Sequence, residues 1–153
     1  MPDSHLPQPH FDRCAYLLLV DDEDRLMLCG TCCSGWTVPR VLLDPEVDFR
    51  DAATQFLADR FQIHNPKYGT VYGVRKTQDS ECWEHEHPTV AHVLLVRISS
   101  EESDSIQRTS TRHARWGIGE LKDRHREISP EGVVLLVSGY VEGWIPDGKI
   151  SLH

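Results

Sequence analysis

The chain has 153 residues, a length typical of one domain with its own apolar core. It carries 16 basic and 24 acidic residues, and the resulting net charge of −8 argues against nucleic acid or an anionic membrane as a partner. Apolar runs such as 133–137 are far shorter than the roughly 20 residues that span a bilayer. The N-terminal residues have no basic-then-apolar leader pattern, so we expect a cytoplasmic protein.

The N-terminal part of the chain predicts an arm followed by a β-hairpin. Residues 1–11 are polar and contain three prolines, which predicts a flexible arm ahead of a single domain over 12–153. Residues 14–20 form a continuous apolar run, which is typical of a buried strand. The polar turn 21–24 separates this run from a second one at 25–29, and the pair predicts a hairpin. Residues 40–47 are predicted to be an extended linker.

The segment 48–61 has the clearest helical pattern in the sequence. Asp48 is a suitable N-cap, and Asp51 places an acid in the first turn, where the helix dipole favours it. The apolar residues recur at spacings of three and four and predict one buried face; they are Phe49, Ala52, Ala53, Phe56 and Leu57. The pair Asn65-Pro66 is predicted to end this segment.

The rest of the chain predicts two longer strands and a closing helix. Residues 68–76 and 89–98 are predicted strands, and the polar stretch 99–112 is predicted to be a long loop. A short strand at 114–116 and a short helix at 119–127 follow. Ser129 is predicted to cap the last helix, with Pro130 as its first residue. The predicted order β-β-α-β-β-β-α indicates a mixed α+β fold with helices packed on a curved sheet.

Residues 36–63 resemble the signature of the Nudix family. The segment Trp36-Thr-Val-Pro39 matches the start of the family pattern, Ala52-Ala53 its alanine pair, and Leu57 and Ile63 its hydrophobic positions. A later segment, from Trp116 to Glu120-Leu121, is similar to the family's tryptophan strand and the helix start after it. The resemblance covers about residues 12–145 and implies a Nudix-like α/β/α sandwich, with a curved mixed β-sheet.

The carboxylates of the family signature are mostly replaced. With the alanine pair as anchor, the family's Gly-Gly, first Glu, Arg-Glu and Glu-Glu fall on Arg40-Val41, Val47, Gln55-Phe56 and Asp59-Arg60. The resemblance implies diphosphate hydrolysis with Mg²⁺ held by carboxylates, but Phe56 cannot bind a hard cation and Arg60 brings a positive charge to its place. Only Asp59 keeps a carboxylate, so Mg²⁺ is not expected as a cofactor.

A second candidate site lies in residues 82–92, which hold three histidines, two glutamates and a cysteine. In an extended chain His85 and His87 share one side, and together with His92 they form a candidate site for a divalent transition metal. Without metal, Glu84 or Glu86 is the candidate base and a histidine the candidate acid. A solvated loop with His92 packed in the sheet is the remaining interpretation.

The candidate substrate-binding residues are two tryptophans and three polar side chains, namely Trp36, Trp83, Arg40, Gln55 and Asp59. The resemblance places Trp36 at the family's cleft, where an indole ring can stack on a planar ligand, and Trp83 is a candidate for the opposite wall.

Three functions therefore remain open for the predicted cleft. The first is an enzyme with non-standard chemistry on a small molecule, for which a specialised metabolite is one candidate. The second is a non-catalytic module that senses a ligand or binds a protein. The third is hydrolysis of a nucleoside-diphosphate-linked substrate with relocated carboxylates. A small molecule is the expected partner in the first and third, and the resemblance also implies a homodimer as one form of the chain.

Overall fold

The computed structural model describes residues 13–31, 34–44, 46–76, 90–129, 132–144 and 148–152. Within these ranges eight strands form one mixed sheet with helices on both faces. The strands are β1 (Arg13–Val20), β2 (Leu26–Gly30), β3 (Trp36–Thr37), β4 (Arg40–Leu43), β5 (Lys67–Lys76), β6 (Val90–Arg97), β7 (His113–Trp116) and β8 (Gly148–Leu152). The helices are α1 (Phe49–Phe61), α2 (Ser100–Gln107), α3 (Ile118–Asp123) and α4 (Val133–Glu142), with a short 3-10 helix at His125–Glu127.

Strand β1 lies in the middle of the sheet, whose order is β3-β2-β1-β6-β5-β8. It runs parallel to β6 along its whole length, from Arg13 opposite Val90 to Val20 opposite Arg97. It also pairs antiparallel with β2 and β4, while β7 pairs with β2. The mixed α+β fold predicted from the element order is therefore confirmed.

The sheet separates two apolar cores, and β1 contributes to both. Tyr16 and Leu18 face α3 and α4, whereas Ala15 and Leu17 face α1 and α2. All four side chains are buried, because helices cover both faces of the strand. This explains why residues 14–20 form a continuous apolar run rather than an alternating one.

Helix α1 forms as predicted. The Asp48 carboxylate accepts hydrogen bonds from the backbone N–H groups of Arg50 at 3.1 Å and Asp51 at 3.0 Å, which satisfies donors that the helix itself leaves unpaired. The helix ends before the predicted Asn65-Pro66 pair, because Gln62 adopts the left-handed conformation with φ at 56°.

The prediction of a loop over 99–112 was wrong. Residues 100–107 form α2, whose start is fixed by a reciprocal capping box between Ser99 and Glu102. Only Ser103 and Ile106 are buried in this helix. Since so few of its residues are apolar, its periodicity was too weak to indicate a helix, and capping and contacts with the rest of the fold stabilise it instead.

Two other predicted boundaries were also wrong. Residues 40–43 form β4 rather than a linker, because they pair antiparallel with β1, with Arg40 opposite Tyr16. Helix α4 begins after Gly132, not at Ser129. The Ser129 N–H donates to the Trp36 carbonyl oxygen at 2.9 Å, which holds Ser129 against β3 instead of at the helix start.

Strand β8 was not predicted, and it joins the sheet by pairing parallel with β5. The predicted arm at 1–11 lies outside the described residues, as do 82–89 of the histidine-rich segment. None of the helices in the described ranges has the length and apolar character that crossing a membrane requires.

Candidate ligand-binding cleft

A cleft of about 420 Å³ opens between the C-terminal half of α1, the end of β2 and the segment that leads into β7. We call it the α1 cleft. The described residues that line it are Cys29, Pro39, Arg40, Phe56, Arg60, Phe61, Thr109, Ser110 and His113. Its volume lies within the range of about 300–1,000 Å³ that is typical of small-molecule sites.

Only one side of the C-terminal half of α1 lines this cleft. Phe56 and Arg60, which are one helical turn apart, both line the cleft. Gln55 and Asp59 are exposed and hydrogen-bond to each other, with the Gln55 amide nitrogen 2.9 and 3.0 Å from the two carboxylate oxygens. Neither is among the residues that line the cleft, so the structure does not bring these two predicted ligand-binding residues to it.

The described lining of the cleft contains basic side chains and no acidic one. Arg40 and Arg60 supply two guanidinium groups, and His113 supplies an imidazole. Arg60 forms no ion pair with another residue in the described ranges, so its charge is available to a ligand. Two guanidinium groups at one concave site favour an anionic ligand, because they match carboxylate and phosphate oxygens in geometry as well as charge.

Cys29 contributes a protonated thiol to the cleft. Burial raises the pKa of Cys29 to about 11, although the nearby positive charge of Arg60 opposes that rise. At neutral pH the thiol is therefore protonated, and it is not an activated nucleophile, since the thiolate is the reactive form.

His113 is held at its Nδ1 edge. This atom lies 3.0 Å from the Ile106 carbonyl oxygen and 3.2 Å from the Thr109 hydroxyl oxygen. The Thr109 hydroxyl itself donates to the Ile106 carbonyl oxygen at 2.7 Å. Nδ1 therefore carries the proton of the neutral ring, and Nε2 is the atom left to accept a hydrogen bond from a ligand.

Two further predicted site residues in the described ranges lie away from this cleft. Trp36 packs edge-on against Trp116, with ring centroids 5.5 Å apart, on the α4 side of the sheet. His92 stacks on Phe49 with centroids 4.2 Å apart and ring planes 7° from parallel. Phe49 begins α1, and Arg60 lies about 16 Å further along the helix at 1.5 Å per residue.

The residues of the cleft do not fit the magnesium ion that the family resemblance implies. Mg²⁺ requires oxygen ligands in near-octahedral geometry, and neither Phe56 nor Arg60 supplies one. Across the described ranges, no group of three or more His, Cys, Asp or Glu side chains is arranged to hold a metal ion. Trp83, Glu84, His85, Glu86 and His87 lie outside those ranges, so their predicted roles stay predictions.

Several cleft residues could not be found from the sequence. Cys29 and His113 are 84 positions apart and meet only because they are paired residues of β2 and β7. Thr109 and Ser110 lie in the segment that was predicted to be a long loop. Arg40 was predicted as a ligand-binding residue, and the structure does place it in the lining.

The fold is similar to that of several solved Nudix structures. A mutT/nudix family protein from Listeria innocua superposes with a TM-score of 0.68 at 8% identity, covering 86% of this chain and 92% of that one. The Ap4A hydrolase of C. elegans has a TM-score of 0.59 at 15% identity and coverages of 85% and 97%. The dihydroneopterin triphosphate pyrophosphohydrolase of E. coli has a TM-score of 0.59 at 6% identity and coverages of 86% and 96%.

No family model and no curated protein sequence matches the chain. The chain therefore has the Nudix fold, which the structural similarity shows without a corresponding sequence match.

Proposed function

We propose that this chain binds a small phosphate-bearing anion in the α1 cleft without Mg²⁺, as a ligand-binding Nudix-fold protein rather than a metal-dependent hydrolase. One observation carries this proposal. Helix α1 turns Phe56 and Arg60 toward the cleft, at two positions where the Nudix resemblance expects metal-binding glutamates.

The charge of the cleft supports an anion in place of a metal. In a metal-dependent site, carboxylates hold a cation, and the cation then neutralises the phosphate. Here the Arg60 guanidinium, which forms no ion pair with another described residue, neutralises the phosphate directly, so no cation is needed between protein and ligand. A divalent cation is repelled by the same charge.

Apolar rings complete the cleft and indicate more than a bare inorganic anion. Phe56 and Phe61 pack edge to face with centroids 5.8 Å apart. The Phe61 ring also meets the His113 ring, at a centroid distance of 6.4 Å. This aromatic wall favours a ligand with a planar or apolar part next to its charged group. Two structural neighbours are named for phosphate-rich compounds, Ap4A and dihydroneopterin triphosphate, which supports a phosphate ester as the ligand class.

The proposal assigns His113 to hydrogen bonding with the ligand. With the proton of the neutral ring on Nδ1, the Nε2 atom accepts a hydrogen bond from a ligand hydroxyl or a protonated phosphate. The Cys29 thiol, protonated at neutral pH, supplies a weak donor beside it.

The test is calorimetric titration with ADP and with inorganic pyrophosphate, in EDTA and in Mg²⁺. We expect binding in EDTA that Mg²⁺ does not strengthen. The change Arg60→Ala removes a charge-assisted hydrogen bond and is expected to weaken binding by about 10–100-fold. Arg108→Ala is the matched control, because Arg108 is exposed and does not line the cleft.

Two results would contradict the proposal. One is binding that requires Mg²⁺, and the other is an equal loss of affinity for Arg60→Ala and Arg108→Ala. Phosphate release measured in the same samples tests the enzymatic alternative. Turnover that persists in EDTA and is abolished by His85→Ala with His87→Ala would instead support the predicted histidine-rich site.

A further inference from the structure

A second cavity, of about 650 Å³, lies on the opposite side of the sheet from the α1 cleft. We call it the α4 cavity, because α4 and the 3-10 helix before it form its walls. The described residues that line it are Lys122, His125, Arg126, Ile128, Gly132, Val134, Leu135, Ser138 and Trp144. It shares no residue with the α1 cleft.

Large apolar side chains remain exposed at this cavity. Leu135 is 59% exposed and Trp144 is 55% exposed, and both line it. The Trp144 ring is held in place, since its indole N–H donates to a Glu142 carboxylate oxygen at 3.0 Å. A fixed aromatic ring next to exposed aliphatic side chains is a surface that gains free energy when a ligand covers it.

A buried hydroxyl also lacks a partner at this cavity. Ser138 is 2% exposed, and its Oγ has no hydrogen-bond partner among the described residues. Leaving a buried hydroxyl without a partner costs free energy, because the group loses its hydrogen bonds to water and gains none in the protein. A protein tolerates that cost more readily where a bound molecule brings a polar atom to the hydroxyl.

Of two basic side chains at the edge of the cavity, one is ion-paired and the other is not. Lys122 forms an ion pair with Glu142 at 2.9 Å, so its charge is matched. Arg126 is exposed and forms no ion pair with any residue in the described part of the chain. An unmatched guanidinium next to an apolar wall is complementary to a molecule with an apolar body and one negative group.

We propose that the α4 cavity binds a small amphipathic anion, with its apolar body against Leu135 and Trp144 and its anionic group at Arg126. This second site is independent of ligand binding in the α1 cleft. A volume of about 650 Å³ accommodates a molecule of two or three rings or a medium-length acyl chain.

The test uses 8-anilinonaphthalene-1-sulfonate, an aromatic sulfonate whose fluorescence rises in apolar surroundings. Every titration is made at one fixed pH, so that the variants differ in charge only at the changed position. The titration is made in excess inorganic pyrophosphate, which occupies the α1 cleft and has no apolar body for the α4 cavity, and we expect one saturable site per chain. Leu135→Asp is expected to weaken binding at least about tenfold, because it places a like charge against the dye. Arg126→Glu is expected to weaken it by a smaller but measurable factor.

Two controls define the outcome. Val47→Asp alters a 37%-exposed apolar residue outside the cavity, and Arg108→Glu reverses a charge outside it. Both are expected to bind the dye as the unmodified chain does. Near-UV circular dichroism of each variant shows that its tertiary packing is retained, since loosely packed states also bind this dye.

The proposal is overturned if the unmodified chain shows no saturable binding, or if Val47→Asp reduces binding as much as Leu135→Asp. Sedimentation of the same samples tests the competing occupant. A dimer that Leu135→Asp dissociates would show that a second copy of the chain covers the cavity, and that result also overturns the proposal.

Discussion

Two serines are buried in helices on opposite faces of the sheet, and their hydroxyl groups have opposite surroundings. Ser103 in α2 is 1% exposed, and its hydroxyl donates to Asp21 Oδ2 at 2.9 Å and accepts from Arg115 at 3.3 Å. Ser138 in α4 is 2% exposed, and its hydroxyl has no hydrogen-bond partner in the described part of the chain. Directed polar contacts thus fix α2 on the sheet, whereas α4 packs on it through apolar side chains.

This difference indicates that the α2 side of the sheet is held more rigidly than the α4 side. The contacts of α2 continue to the α1 cleft, because Gln107 donates to the His113 carbonyl oxygen at 2.8 Å and Thr109 donates to that of Ile106 at 2.7 Å. They orient the His113 ring that lines the cleft. The α4 side lacks an equivalent network among the described residues, and its unsatisfied hydroxyl lies beside the α4 cavity. Polar contacts of α2 therefore orient His113 at the α1 cleft. On the α4 side no such contact occupies the Ser138 hydroxyl among the described residues, so it is available to a ligand of the α4 cavity.

The largest expected effect comes from removing the centre of the α2 network. Asp21 is fully buried, and besides Ser103 it accepts from the Arg25 side chain at 3.0 Å and from the backbone N–H groups of Glu23 and Arg25. Asp21→Asn leaves these donors facing an amide, so we expect a loss of about 3 kcal/mol in the free energy of unfolding at pH 7. Urea denaturation measures it, and a loss under about 1 kcal/mol would contradict the importance of this network.

The same carboxylate predicts how stability depends on pH. Burial by itself would raise the pKa of Asp21, but hydrogen bonds from the Arg25 backbone and the Ser103 hydroxyl outweigh it and hold the pKa below the ordinary value of 3.8. The unfolded chain then binds the proton more readily, so the stability that Asp21 contributes is present above pH 3.8 and lost as the pH falls below it. Between about pH 5 and pH 2, Asp21→Asn should therefore lose less stability than the unmodified chain.

The two serines themselves give the next prediction, and the sign of the effect differs between them. Ser103→Ala removes a hydrogen bond to a charged group and is expected to lower the free energy of unfolding by about 1–2 kcal/mol. Ser138→Ala removes an unsatisfied hydroxyl and is expected to raise it by about 1 kcal/mol. Ser105→Ala, at an exposed position of α2, measures the part that comes from helix propensity alone. If Ser103→Ala and Ser138→Ala change the free energy of unfolding in the same direction after the Ser105→Ala effect is subtracted, the proposed difference between α2 and α4 is wrong.

The contrast between helices also explains what the sequence could predict. Helix α1 was found because its apolar residues repeat at helical spacing and Asp48 caps it, and both signals are local. Helix α2 was missed because its stability comes from a capping box and from Asp21, which is 82 positions from Ser103. Strand β8 was missed because its five residues are identified only by pairing with β5, more than 70 positions away.

The candidate site was predictable to a similar extent. The replacement of expected carboxylates by Phe56 and Arg60 was visible in the sequence, since it required only a helical register. The sequence did not show which residues of α1 face the cleft. In the structure, Gln55 and Asp59 point away from the cleft and hydrogen-bond to each other. Cys29 and His113 become neighbours through the pairing of β2 with β7, which no local pattern specifies.

The smallest expected effects concern the ends of α1 and α4, which both finish on a residue in the left-handed region. That residue is Gly143 in α4, with φ at 78°, and Gln62 in α1, with φ at 56°. A side chain at positive φ is strained, and a methyl group at Gly143 would meet no atom within 4 Å, so Gly143→Ala should cost about 1 kcal/mol from backbone strain alone. Gln62→Gly relieves the corresponding strain but loses the amide's 3.3 Å hydrogen bond to the Asp59 carbonyl oxygen.

A net gain of about 0.5 kcal/mol is therefore expected for Gln62→Gly, measured as a rise in the urea midpoint at unchanged slope. Gln62→Ala separates the two contributions, because it loses the side-chain hydrogen bond and keeps the strain. If Gln62→Ala and Gln62→Gly are equally stable, relief of strain contributes nothing, and the end of α1 is determined by the contacts of Ile63 with the core. A gain for glycine alone shows that α1 retains a strained terminus next to Phe61 and the α1 cleft, where α4 has an unstrained one.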